Sequence, residues 1–272
     1  MEVVENKTRK KVVSLRKIHE TAVVHPGAEL GKDVVIGPYA IIGEHVELGD
    51  GCIVGPHVVI DGWTRIGCNN KFYHGASIGC DPQDLKFKGE KTFLVIGDNN
   101  IFREHVTISR GTGEGGGETR IGNNCFFMAY SHVAHDCRVG NNVILTNAAS
   151  LGGHVVVEDR VNIGGLSGVH QFTKIGKMAM IGGCTKVIRD VPPFVIVDGV
   201  PARVAGINVV GLRRNEVPPE VRDEIKKAYK ILYRSNLTIA QAIEQMEQQL
   251  QGYPEIDHFI RFLRNVERGI CR

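Results

Sequence analysis

Large aromatic side chains are scarce in this 272-residue chain: one Trp, six Tyr and ten Phe, 6 % in all. A core built on bulky rings is excluded, so whatever fills the interior is aliphatic and narrow. An excess of one charge is lacking too: 33 Lys and Arg against 30 Asp and Glu leave +3, too little to argue for nucleic acid. No apolar run approaches the roughly 18 residues that mark a membrane-spanning helix. The seven cysteines (Cys52, Cys68, Cys80, Cys125, Cys137, Cys184, Cys271) are odd in number and form no CxxC pair. That argues against a disulfide framework and for a reducing cytoplasm. Residues 1–17, MEVVENKTRKKVVSLRK, are basic but lack an apolar stretch and include Glu2 and Glu5; they read as a solvated tail, not a cleaved leader.

What is abundant is glycine, 33 residues, and with it a repeat. From Ile18 an aliphatic or aromatic residue recurs every six positions through Val24, Leu30, Ile36 and onward to Ile78. The phase resumes at Ile96, Phe102 and Ile108, and again from Ile121 through Phe127 and Val133 to Val187. Glycine often follows the key residue, as in IGPYAI, LGDGCI and VGNNVI, and four positions after it the side chain is small or β-branched (Ala40, Val46, Cys52, Cys125, Cys137, Val143). A period of six is neither a helix nor a simple alternating strand. It predicts short strands joined by corners, three hexads to a triangular coil of 18 residues, with coils stacked about 4.8 Å apart. Cysteines in the small slot are packing residues. The pattern resembles the hexapeptide-repeat acyltransferase superfamily, which implies a mainly β fold, a left-handed parallel β-helix, exceptional among right-handed crossovers.

The repeat divides the chain into a tail at 1–17, a β-helix at 18–192 and an exit segment at 193–218 rich in proline. An α-helical domain follows at 219–272. Two insertions, 79–95 and 109–120, break the phase; they cannot enter the core, so they project and build a binding face. The second, with GEGGGE, has no P-loop lysine, which argues against a phosphate cradle. Val221, Ile225, Tyr229 and Leu232 line one face of a helix. Thr238 is the expected cap of a second helix and Pro254 the expected start of a third. Such a bundle covers the open end of the prism, where a bare sheet edge invites aggregation.

Within an uninterrupted run, residues 18 apart stack. SHVAHDC at 131–137 therefore lies beneath SLGGHVV: Gly153 sits over His135 and His154 over Asp136, with Gln171 and His170 a rung further. Three readings fit this ridge. As a catalytic site, His135 is a general base oriented by a neighbour such as Asp136, and the Gly153 N–H stabilises an oxyanion. As a metal site, the histidines bind zinc, as in the γ-class carbonic anhydrases of the same fold. As a plain surface, the ridge is solvated or lies at a subunit interface.

Beyond the superfamily, QDLK (83–86), ISRGT with GGG (108–117), HVAHDC (132–137), GGHV (152–155), VHQF (169–172), IGGC (181–184), DVPPFV (190–195) and GLRRN (211–215) occur in the order of the UDP-N-acetylglucosamine O-acyltransferase family, which the chain resembles from about Ile18 to its end. The resemblance implies transfer of a 3-hydroxyacyl chain from acyl carrier protein to the 3-hydroxyl of UDP-N-acetylglucosamine, the first step of lipid A synthesis. It implies no metal or organic cofactor, and a homotrimer with sites between neighbouring prisms. His135 matches the base, Asp136 its orienting partner and Gly153 the oxyanion donor. Asp84 and Lys86 match residues that hold donor and sugar groups. His132, His154, His170, Gln171, Asn208 and Arg214 match positions lining the nucleotide-sugar and pantetheine cleft. Gly165 and Gly183 stack where the acyl groove runs, and a larger side chain there would shorten it. Lys174, Lys177, Lys186 and Arg189 are candidates for steering an acidic carrier. Two positions depart from the family pattern, Ser109 in place of histidine and Ala148 in place of asparagine. The competing readings are the sister N-acyltransferase, whose N-terminal uridine-binding domain a 17-residue tail cannot supply, a zinc enzyme, and a non-enzymatic scaffold.

Overall fold

The computed structural model describes residues 17–272; the basic tail at 1–17 lies outside the described residues except for Lys17, which joins the first strand. Six residues are enough for a two-residue strand and a corner, and that is what forms. In each two-residue strand the first side chain points outward and the second, the key residue of the hexad, points inward, as in Ile144–Leu145 and Met180–Ile181. The strands make three parallel faces of a left-handed β-helix. The first runs from Lys17–Ile18 to Met180–Ile181, the second from Val23–Val24 to Lys186–Val187, and the third from Glu29–Leu30 to Lys174–Ile175. Register advances by one coil per rung: Phe126 pairs with Ile144, Ile144 with Asn162 and Asn162 with Met180.

The interior is as narrow as the composition requires. Cys52, Cys125 and Cys137 fill the small slot, fully buried. Burial pushes their thiols up, to about 11, about 11 and about 12, so none is a thiolate nucleophile at neutral pH. The few aromatic rings inside stack on one another: Phe72, Phe102 and Phe127 lie 4.8 and 4.9 Å apart, centroid to centroid, within 5° of parallel.

The insertions leave the prism between the second and third faces. The first spans residues 81–92, between Ser77–Cys80 and Phe93–Ile96; the second spans 110–117, between Thr107–Ser109 and Glu118–Ile121. Both are shorter than the phase break indicates, because strand pairing runs on past the last key residue. The exit segment is more ordered than its prolines suggest. Val195–Asp198 adds a further parallel strand to the first face, and Arg203–Ile207 folds back on it antiparallel. The alternation of buried Val195 and Val197 with half-buried Ile196 is a strand signal that the flanking prolines obscure. A short helix α1 (Val209–Arg214) follows.

Three helices close the fold: α2 (Pro219–Arg234), α3 (Ile239–Gln249) and α4 (Pro254–Arg264). Proline opens α2 and α4, where its missing N–H is no loss. Thr238 caps α3 in a reciprocal box with Gln241. Tyr229 and Tyr233 of α2 pack on the prism core. The C-terminal segment is held by backbone bonds between Asp190 and both Gly269 and Cys271. His258 of α4 lies 2.7 Å from Glu158, and Lys174 pairs with Glu267.

Candidate active site

The corner between the second and third faces places one residue per coil in the left-handed region: Asp136 at φ 60°, His154 at 61° and Phe172 at 64°. That conformation is uncommon for residues with a Cβ. Here His154 and Phe172 are each held by a backbone bond to the preceding coil, from His154 N to His135 O and from Phe172 N to Gly153 O, both 3.0 Å, and the Asp136 N–H donates to the Thr119 hydroxyl instead. The consequence is a column of side chains on one ridge. The His135 and His154 rings meet edge to face at 5.1 Å, and His154 stacks on Phe172 at 4.3 Å.

His135 Nδ1 lies 2.7 Å from Asp136 Oδ2. Three further bonds fix Asp136. Its Oδ1 accepts from the Thr112 N–H at 2.9 Å, its Oδ2 accepts from the Thr112 hydroxyl at 2.6 Å, and its own N–H donates to Thr119 Oγ1. The Asp136 carboxylate is wholly buried, while His135 keeps 13 % of its side chain exposed. A buried carboxylate facing Nδ1 selects the tautomer protonated there, which leaves Nε2 unprotonated and turned to the cleft. Gly153 lies against the His135 ring: a Cβ there would stand 2.6 Å from Cε1 and 2.8 Å from Nε2, so only glycine fits. Among the described residues no backbone carbonyl takes the Gly153 N–H.

Two of the neighbouring histidines, His132 and His154, are tuned toward neutrality. Burial, and then the nearby His135, hold His132 below its usual value, and its Nδ1 lies 2.7 Å from Thr107 Oγ1. His154 is likewise lowered, by burial first, although Asp136 and Asp84 pull the other way. His170 Nδ1 sits 3.0 Å from the Gln171 carbonyl.

Two connected openings meet at His135. One, about 540 Å³, runs down the second face past His132, Gly152, Gly168 and His170 to Lys186. The other, about 850 Å³, lies between the ridge and the first insertion and is lined by Asp84, Lys86, His154, Gln171 and Phe172. The insertion loops are tied together over it by Lys86 to Glu114 at 3.1 Å and by Glu90 accepting from the Gly113 N–H. Thus the structure gathers Asp84, Lys86, His132, His135, Asp136, Gly153, His154, His170 and Gln171 at one place.

Asn208 and Arg214 do not join them within one chain. They line a separate cavity of about 560 Å³ on the first face, with Arg160 and Met180. There Asn208 also caps α1 and donates to the Met178 carbonyl. Gly165 and Gly183 stack on successive coils at the corner between the first and second faces, and a Cβ at Gly183 would meet only the Gly165 carbonyl, at 3.5 Å. Of the steering candidates, Lys174 is spent on Glu267 and the Asn265 carbonyl, whereas Lys186 lines the cleft. Thr107 escapes the sequence reading, because an insertion between it and His132 upsets the count of 18 that would stack them; Gln83 and Thr112 stand inside QDLK and ISRGT, where the resemblance assigns them no role. Phe172 falls on that count, two coils above Asp136.

The ligand atoms of His135, Asp136 and His154 lie within 4.8 Å of one another, a grouping suited to a metal. However, His135 Nδ1 and Asp136 Oδ2 stand at hydrogen-bond distance and leave no space for an ion between them. The arrangement is a histidine hydrogen-bonded to a buried carboxylate.

The family described as Udp N-acetylglucosamine O-acyltransferase, domain 2, matches residues 190–271, and the bacterial transferase hexapeptide repeat matches residues 27–62 and 118–153. Acyl-[acyl-carrier-protein]--UDP-N-acetylglucosamine O-acyltransferase from Anaeromyxobacter sp. (strain Fw109-5) is 51 % identical over 94 % of this chain and 99 % of its own length. The protein of the same name from Halorhodospira halophila is 51 % identical over 95 % and 100 %. The solved structure of LpxA from Acinetobacter baumannii superimposes with a TM-score of 0.91 at 43 % identity, covering 94 % of this chain and 99 % of the other. Agreement of this depth along both the prism and the helical tail leaves one conclusion: the chain belongs to the UDP-N-acetylglucosamine O-acyltransferase family.

Proposed function

We propose that the protein transfers a 3-hydroxyacyl chain from acyl carrier protein to the 3-hydroxyl of UDP-N-acetylglucosamine, the opening step of lipid A biosynthesis. The observation that carries this reading is His135 Nδ1 held 2.7 Å from buried Asp136, with Gly153 pressed against the same ring. A sugar hydroxyl is a poor nucleophile at neutral pH and needs a base within reach. His135 Nε2 takes the hydroxyl proton as the oxygen attacks the thioester carbonyl carbon. The Gly153 N–H receives the oxyanion. When the C–S bond breaks, the imidazolium returns its proton to the departing thiolate, so the products are the sugar ester and the free carrier thiol. Neither a covalent enzyme intermediate nor a metal is required.

Asp84, Lys86, His132, His154, His170 and Gln171 surround the sugar and the pantetheine arm, and Gly165 and Gly183 floor the acyl groove. Asn208 and Arg214 serve a neighbouring copy: a homotrimer in which the first face of one prism meets the second face of the next brings them to the His135 cleft. A guanidinium at Arg214 suits the diphosphate through paired charge-assisted bonds. The cytoplasm, where acyl carrier protein is found, is the compartment. No described helix is long and apolar enough to cross a membrane.

The test is to incubate the protein with UDP-N-acetylglucosamine and a series of 3-hydroxyacyl carrier proteins and read the product masses. A single O-acylated UDP-sugar is expected. His135→Ala should cut kcat by on the order of 10²–10⁴, the range of a lost general base. Full transfer by that variant would assign the chemistry elsewhere.

A further inference from the structure

The glycine-rich insertion is the one motif that this mechanism leaves without a role. Its path answers the question. Residues 110–117 leave the second face at Ser109, turn over the ridge and re-enter at Glu118, and at the turn they cover Asp136. Thr112 supplies both of the non-histidine donors to the carboxylate, its N–H to Oδ1 and its hydroxyl to Oδ2. Gly115 N–H in turn bonds Thr112 Oγ1 at 3.2 Å. A Cβ on Gly115 would overlap the Asp136 carboxyl group, so the backbone there lies flush against it. The turn itself is closed by Gly115 and Gly117, whose N–H groups both reach the Thr112 carbonyl. The base of the loop is pinned by Arg110, buried between the Trp63 and Phe87 rings and bonded to Asp81 and the Gly79 carbonyl.

We propose that the second insertion is the element that sets the strength of the base, with Thr112 as its positioning residue, acting on His135 through Asp136. The inference rests on His135 being the base of the proposed reaction. Two donors from Thr112 disperse the carboxylate charge that His135 Nδ1 faces, and the glycine lid keeps water from doing so instead. Thr112 thus limits how strongly Asp136 holds a proton on the imidazole, and it fixes which oxygen faces the ring. Remove the hydroxyl, and the carboxylate has one donor fewer and holds imidazolium more tightly. The other charged or titratable groups around His135 are His132, His154, His170 and Lys186 on the prism, Asp84 and Lys86 from the first insertion, and Glu114 from the second. A change confined to Thr112 leaves them in place.

The experiment is the pH profile of kcat/KM for Thr112→Val and Thr112→Ser. The valine variant is expected to move the acid limb to higher pH by on the order of half to one unit, with KM for the sugar nucleotide within about twofold. The serine variant keeps the hydroxyl and should restore the limb. Gly115→Ala, which pushes the lid off Asp136, gives a second route to the same displacement. A histidine NMR titration of each variant without substrates reads the imidazole directly, so a failure of this inference is distinguishable from a failure of the acyl-transfer reading. A folded Thr112→Val protein whose limb and imidazole titration both match the parent overturns the proposal. A loss of rate equal at every pH does so as well.

Discussion

At the scale of single residues, the site depends as much on what is missing as on what is present. Gly153 has no side chain, and the His135 ring occupies the volume a Cβ would need. Gly153→Ala is therefore expected to displace the ring or the corner and to misalign base and oxyanion donor together. Loss of one oxyanion donor costs about 10²–10³ in kcat, and the combined effect should be at least that large. The prism itself should persist, since the change lies on the outside of a corner. Steady-state rates combined with circular-dichroism melting check both halves. A rate within a few-fold of the parent would show that neither the ring nor the Gly153 N–H is placed as proposed.

At the scale of elements, one interior slot gives a controlled comparison. At the corner between the third and first faces it holds Val34, Cys52, Asn70, Asn100, Cys125 and Val143 on successive coils, all buried. The Cys52 thiol donates weakly to the Gly67 carbonyl and lies against Asn70. Asn70 instead donates to the Gly67 and Gly97 carbonyls and accepts from the Asn100 N–H. It bridges the coils where the first insertion interrupts the stack. Cys52→Val should be nearly neutral. Asn70→Val leaves the Asn100 N–H and the Gly97 carbonyl unpaired and should cost about 2–6 kcal/mol, at about 1–3 for each orphaned group. Urea denaturation at matched protein concentration measures the difference. The same corner shows what is legible in sequence and what is not. The six-residue period placed Cys52 and Cys125 inside and set His135 under Gly153, because stacking repeats geometry faithfully. The period does not reach the helical tail, where Thr238 and Pro254 carry their own capping chemistry. It says nothing of Thr112 or Thr107, which reach the site by way of aperiodic loops whose course is decided by contacts such as Arg110 between Trp63 and Phe87. The antiparallel return at Arg203–Ile207 is hidden for a related reason: GVPARVAG has no repeat to extrapolate from.

At the scale of the whole molecule, the three faces differ in what they show to solvent. The third face presents Glu29, Glu47, Arg65, Arg120, Arg138 and Lys174. The second begins with Val23 and Ile41, 62 % and 45 % exposed, and the first carries Ile53 and Ile101, 41 % and 38 % exposed, followed by Phe126, Ile144 and Met180. The apolar stretches of the first and second faces are different surfaces of one prism, so a contact that joins one to the other is heterologous. Such contacts either close into a ring or run on as a filament. The placement of Asn208 and Arg214 on the first face, away from the His135 cleft on the second, makes the same demand on functional grounds. Ring closure would then complete every site at once. The double variant Ile53→Glu with Ile101→Glu puts two charges on the first face, below the coil that carries His135. By light scattering it is expected to shift the proposed trimer toward monomers. Acyl transfer should fall in proportion to the trimer lost, with KM for the sugar nucleotide rising first, because the missing groups are those proposed to hold the nucleotide. A monomeric variant with parental kcat and KM would mean that one prism binds the substrates alone, and that Asn208 and Arg214 serve only α1 and the cavity they line.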